Sequence, residues 1–152
     1  MQEIEVEAIV INWFKQRGYT VEKEFLGAGG NKIDVMARKN QEQWIVEVKG
    51  DYDRSTAQYN VNFDTGIGQL VKSISVVNEN INYAICIPLS RTEQGRQLSY
   101  RLVLPKYSRS VAFEELNISL ILVRDDKFVE IIKSKDVKNF LSTINPEPKQ
   151  RI

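Results

Sequence analysis

The sequence predicts a single α/β domain in which helices pack on a mixed sheet, completed by a C-terminal strand pair and a short helix. Three observations carry that expectation. The chain has 152 residues, the length of one domain. Its 42% hydrophobic and 27% charged residues match a globular protein rather than a disordered one. Helical spacing and strand-sized apolar runs then follow one another in the order αβββ-α-β-α-β plus a terminal hairpin strand, an alternation that requires a mixed sheet flanked by helices.

Taken in order, Ile4, Ala8, Ile11 and Phe14, widened by Val10 and Trp13, recur at helical spacing over residues 3–17, and Gly18 supplies the stop. Thr20 to Leu26 alternates as a strand, and residues 27–30 turn the chain. Lys32 to Ala37 and Gln43 to Lys49 are two β-rich runs joined by the polar turn Arg38 to Glu42. Residues 50–62 are polar and turn-rich, which predicts a long loop of the kind that covers or contacts a substrate. Asp64 is placed to cap a helix running to about Asn78, with Ile67, Leu70, Val71, Ile74 and Val77 inward. Asn82 to Pro88 reads as a strand, followed by a polar, helix-like region carrying Arg91, Arg96 and Arg101. Asn117 to Val123 and Lys127 to Ile132 are strands joined by the turn at Asp125-Asp126, and Asp136 to Thr143 is a last helix. The domain is expected to occupy residues 1–145, with 146–152 a polar tail.

Several function classes fall away. The longest apolar runs, such as Ile118 to Val123, are far shorter than the roughly 18–20 residues a spanning helix needs. The N-terminus is acidic where an export signal is basic and then apolar. A cytoplasmic protein without a membrane partner is the expectation. The chain contains one cysteine and no histidine, which removes disulfides, Ser-His and Cys-His triads and histidine-based zinc sites together. Cys86 itself reads as a small buried strand residue. Gly27, Gly29 and Gly30 lack the Lys-Ser/Thr of a phosphate loop and open no helix, so they read as a plain turn and no organic cofactor is implied. Catalysis, if present, falls to carboxylates, lysine and a metal ion.

Asp34 and Glu47-Val48-Lys49 have the residue types for that chemistry. Phosphodiester hydrolysis needs a cation to neutralise developing charge, a positioned water and a stabilised leaving oxygen. Asp34 and Glu47 offer carboxylate oxygens to Mg²⁺ or Mn²⁺, and Mg²⁺ draws its remaining ligands from water and phosphate. Glu47 and Lys49, two apart on a strand, project from one face. An exposed ion pair is the plain alternative, but the run Trp44-Ile-Val46 points to a buried central strand ending in charge, and buried charge needs a reason.

With its N-terminal helix, glycine-rich turn, Ile33-Asp34 and Glu47-Val48-Lys49, the chain resembles the PD-(D/E)xK nuclease superfamily, in particular the archaeal Holliday-junction resolvases and the Mrr-like restriction endonucleases. Ile33 stands where the superfamily name has proline. The resemblance implies a restriction-endonuclease-like αβββαβ core and a metal-dependent DNA endonuclease of restriction, repair or recombination. On it, Asp34, Glu47 and the Val48 carbonyl hold Mg²⁺ or Mn²⁺, Lys49 orients water and stabilises the transition state, Glu7 on the first helix supports the metal or a second ion, and Gln69 aligns the lysine or the phosphate. Ser73 replaces a tyrosine sometimes found four residues after that glutamine.

DNA is the implied partner, with Lys32, Arg54, Arg101, Lys106 and Arg109 as candidate phosphate contacts, and a homodimer would allow symmetrical cuts. The net charge of +1 lacks the basic excess of a nonspecific nucleic-acid coat. That favours the alternative of a non-catalytic nuclease-fold module that binds DNA or serves as an accessory subunit.

Overall fold

The computed structural model describes residues 1–51, 55–91 and 99–144. The first helix, α1 (Glu3–Gln16), buries Val6, Val10 and Phe14, a line at intervals of four that meets the sheet along one side. Of the expected stripe, Val10 and Phe14 are buried, and Ile11 and Trp13 pack partly buried against the same cluster. Ala8, by contrast, is exposed and Ile4 is 73% exposed, and Val6 takes their place. Aliphatic residues lie on nearly every side of α1, so spacing alone selects no face; packing against the sheet does. Gly18, at φ +87°, ends the helix as expected, its N–H bonded to the Lys15 carbonyl.

Six strands follow: β1 (Thr20–Leu26), β2 (Lys32–Lys39), β3 (Glu42–Val48), β4 (Ile81–Pro88), β5 (Ile118–Val123) and β6 (Val129–Ile132). They form one sheet in sequence order. Pairing is antiparallel for β1–β2, β2–β3 and β5–β6, and parallel for β3–β4 and β4–β5. The parallel centre explains the composition of β4 and β5, which are apolar along nearly their whole length because both faces are covered.

On one face α1 packs with Val35, Ala37, Trp44, Val46, Val48 and Cys86. On the other, α2 (Thr56–Lys72) and α4 (Ser134–Thr143) join Ile45, Ile85 and Leu120 through Tyr59, Phe63, Leu70, Val137 and Leu141. The β4–β5 crossover adds 3-10 turns at Tyr100–Leu102 and Leu104–Tyr107 and the short α3 (Ala112–Glu115). The architecture is therefore α/β, a six-stranded mixed sheet flanked by helices. Among the described residues no helix is long and apolar enough to cross a membrane.

The largest departure from the sequence expectation is α2. It starts at Thr56, inside the expected loop, and ends at Lys72 rather than near Asn78. Ser55 caps it, its side chain accepting the Gln58 N–H at 3.2 Å. The buried positions are Tyr59, Asn62, Phe63, Gly66 and Leu70, whereas Val71 and Val77 are exposed. The first turns of α2 are polar, so they carry the helical spacing only in Tyr59 and Phe63. Asp64 lies in the middle of the helix and accepts the Tyr107 hydroxyl. Arg54, Arg96 and the tail from 146 lie outside the described residues.

Candidate functional site

The site begins where β2 and β3 part. Their ladder runs from Lys39–Glu42 to Val35–Val46 and stops. The next opposed residues are Asp34 and Glu47, and side chains take over from the ladder there. Asp34 Oδ2 accepts the Val48 N–H at 2.8 Å, and both a side-chain and a backbone hydrogen bond from Asp34 act on the Glu47 carboxyl. The strand also turns over at this point. Ile33 and Val35, two apart, would share a face of a regular strand, yet Ile33 packs on the α2 side and Val35 on the α1 side. On β1 opposite, Glu24 has φ +53° and no Cα partner. A residue's N–H and C=O point the same way along a strand, so the Val48 carbonyl faces the β2 side together with its N–H.

Glu47 is buried, at 4% exposure. Burial pushes its carboxyl up to about 8, the Asp34 charge beside it adds to the shift, and the Lys49 ammonium opposes it. Lys49 continues the edge of β3, its N–H bonded to the Cys86 carbonyl at 2.9 Å. Its side chain runs along α2 to donate to Gln69 Oε1 at 3.3 Å. Gly66 makes that path possible, because a Cβ there would sit 3.1 Å from Lys49 Cε and 2.8 Å from Ile85 Cδ1. The far end of α2 is tied back to the start of β2 by Asn31, which donates to the Lys72 carbonyl at 3.1 Å. Asp34, Glu47, Lys49 and Gln69 thus form one group.

Glu7, on α1, acts on Glu3 together with Asp34 and Lys49. Its carboxylate pairs with Lys23 at 3.2 Å. Glu3, one turn earlier, was not singled out by sequence, and it shares the field of Asp34, Lys49 and Glu7. Burial, then Asp34, raises its carboxyl above the usual range. Gly50 brings Glu3 there, since a Cβ on Gly50 would lie 2.3 Å from the Glu3 nitrogen. The start of α1 therefore rests on the chain immediately after Lys49. The two glycines on either side of the lysine, Gly50 in sequence and Gly66 in space, were the available sequence signal. Tyr100 supports Gly50 by donating to its carbonyl at 2.7 Å and accepts from Asn62 at 2.8 Å.

Arg54 lies outside the described residues; the other expected phosphate contacts have partners of their own or face solvent. Lys32 pairs with Glu24 at 3.1 Å, and Arg101 donates to the Ser90 carbonyl. Lys106 donates to Asn60 at 2.9 Å, and Arg109 is exposed. From Asn60 to Gly66 the helix rises about 9 Å and turns to a face about 120° away, so Lys106 and Lys49 meet α2 on different faces.

The donor set suits a hard divalent cation. Asp34, Glu47 and the Val48 carbonyl supply oxygen ligands, and two facing carboxyl groups, one buried, leave negative charge that Lys49 offsets only in part. Among the described residues no three His, Cys, Asp or Glu side chains form a metal-holding group. An ion here would take two carboxylates and complete its shell from the peptide carbonyl, water and substrate, as Mg²⁺ commonly does.

Neither a protein-family model nor a curated protein matches the chain. Among solved structures it is similar to an FdxN element excision controlling factor protein from Anabaena variabilis, with 16% sequence identity and a TM-score of 0.57. The match covers 84% of this chain and 97% of that one. At this identity the likeness shows the shared fold.

Proposed function

We propose that this chain is a metal-dependent nuclease that hydrolyses phosphodiester bonds in DNA, with β1–β4, α1 and α2 as a restriction-endonuclease-like core. The observation that supports it most is the set of contacts at the parting of β2 and β3. There Asp34 and Glu47 face each other, and Lys49, next but one along β3, is held by Gln69. Two facing carboxyl groups, one of them buried, cost stability, and cation binding gives the arrangement a purpose.

Asp34, Glu47 and the Val48 carbonyl would hold Mg²⁺ or Mn²⁺. The ion, when bound, supplies charge neutralisation at the phosphate and an acidified water. Lys49 presents its ammonium to the phosphate oxygens and the water on the same face as Glu47. Gln69 fixes that ammonium by accepting from it, so less side-chain freedom is lost when substrate arrives. Glu7 and Glu3 add negative charge along α1, which directs the polyanion away from that helix.

The test is hydrolysis of supercoiled, branched and single-stranded DNA with Mg²⁺ or Mn²⁺. Cleavage is expected for the natural chain and lost in Asp34→Ala and in Lys49→Ala. Cleavage persisting in both variants would overturn the assignment. A module that binds without cutting would instead show no calorimetric Mn²⁺ site dependent on Glu47.

A further inference from the structure

We infer that the hollow beside Lys49 is a subsite for an unpaired nucleobase bearing an exocyclic amino group; the position of the strand in this inference rests on the nuclease reading. The hollow is open to solvent, encloses about 250 Å³ and is lined by Gln2, Glu3, Gly50 and Asp51. Gly50 follows Lys49 directly, and Glu3 lies in the field of both Asp34 and Lys49. A nucleotide whose phosphate meets Lys49 has this hollow as its neighbour.

The lining decides what part of a nucleotide enters. Asp51 is committed within the protein: Oδ1 accepts the Tyr59 hydroxyl at 3.0 Å and Oδ2 pairs with the N-terminal ammonium at 2.8 Å. Among the described residues Glu3 accepts no side-chain hydrogen bond and joins no ion pair. Its carboxylate is the charged acceptor left for a ligand in this lining. Glu3, with Glu7 a turn away, repels phosphate, so the base rather than the backbone occupies the space.

A carboxylate recognises the amino group at C4 of cytosine or C6 of adenine, and it disfavours thymine and uracil, which present O4 there. A stacked, paired base cannot turn into a hollow this close to the scissile phosphate without leaving its stack. Single-stranded or branched DNA is the substrate class that fits.

The experiment compares oligo(dC) with oligo(dU), whose bases differ in the group at C4 and in the proton on N3, by fluorescence anisotropy and by cleavage, using the full chain with Mg²⁺ at pH 7.5. The natural chain should bind oligo(dC) about fivefold more tightly, the low end for one base contact. Glu3→Gln removes a negative charge and should strengthen binding of both, while bringing their ratio close to one because an amide can also donate to O4. Equal affinities in the natural chain, or a ratio unchanged in Glu3→Gln, would overturn the subsite. Cleavage without base preference overturns the subsite alone. Selective binding of oligo(dC) with no cleavage supports the subsite and overturns the nuclease reading.

Discussion

Asp34 and Glu47 hold each other where the β2–β3 ladder ends: Asp34 takes the Val48 N–H at 2.8 Å, while its own peptide and carboxyl both act on Glu47. The pair substitutes side-chain contacts for ladder bonds, so it fixes the spacing of the parted strands. It also leaves one proton for two carboxyls near neutrality, because Glu47 is pushed up to about 8 by burial and by the Asp34 charge.

Cation binding should therefore release a proton. At pH 7 Glu47 is mostly protonated, and a metal-ligating carboxylate must be ionised. Calorimetric titration with Mn²⁺ in buffers of different ionisation enthalpy should show about one proton released per ion at pH 7. The release should fade above pH 9, where Glu47 is already ionised, and be absent in Glu47→Gln. Apparent affinity should climb with pH up to about 8 and then level off. A pH-independent affinity would show that Glu47 is not a ligand.

The same shift fixes the sign of a stability effect in the metal-free chain. The folded carboxyl titrates near 8 and the unfolded one near 4.5. The contribution of Glu47 is therefore most favourable below pH 4.5 and is lost as pH rises toward 8. Glu47→Gln should unfold at higher urea than the natural chain at pH 8.5, by on the order of 3 kcal/mol, with the two nearly equal at pH 4. Saturating Mn²⁺ should narrow that gap by stabilising only the natural chain.

On the proposed function, substitution of Lys49 should separate chemistry from metal binding. Lys49→Met keeps the hydrocarbon stem packed beside Gly66 and removes the ammonium. It should lower the cleavage rate roughly 100- to 1,000-fold, the range for losing one preorganised electrostatic group. Proton release on Mn²⁺ binding should persist. Gln69→Ala should have a smaller effect on rate, since it frees the lysine without removing it. Equal losses for Lys49→Met and Gln69→Ala would place the glutamine at the phosphate itself.

Much of this was legible from local pattern. The alternation of β1 to β3 and the apolar runs of β4 and β5 located the sheet, because burial on one face or two writes itself directly into strand composition. Asp34, Glu47 and Lys49 could be grouped because a short hairpin joins β2 to β3. The start of α2 was hidden, because its buried face there is Tyr59, Asn62 and Phe63 set among polar residues. Glu3 was hidden for a different reason. Its place depends on Gly50, distant in sequence, and a glycine signals close approach only once its neighbour is known. Lys106 shows the converse: a surface cation is easily found in sequence, but the turn of α2 that separates it from Lys49 is not.

The two glycines that flank Lys49 should respond differently to the same added methyl. At Gly50 the new Cβ would meet backbone, 2.3 Å from the Glu3 nitrogen and 2.8 Å from its Cα. Backbone cannot rotate away, so the start of α1 must move. Gly50→Ala should lower stability by about 1–3 kcal/mol and separate Glu3 from the site. At Gly66 the obstacles are the ends of side chains, Ile85 Cδ1 at 2.8 Å and Lys49 Cε at 3.1 Å, which can shift. Gly66→Ala also gains helix propensity of about 1 kcal/mol, so its net stability change should be small. Its cost should fall on cleavage, because Lys49 is displaced from Gln69. Urea unfolding and cleavage rates measured on both variants check this. A Gly66→Ala chain with normal stability and an undiminished rate would show that the path of Lys49 along α2 is not the one used in catalysis.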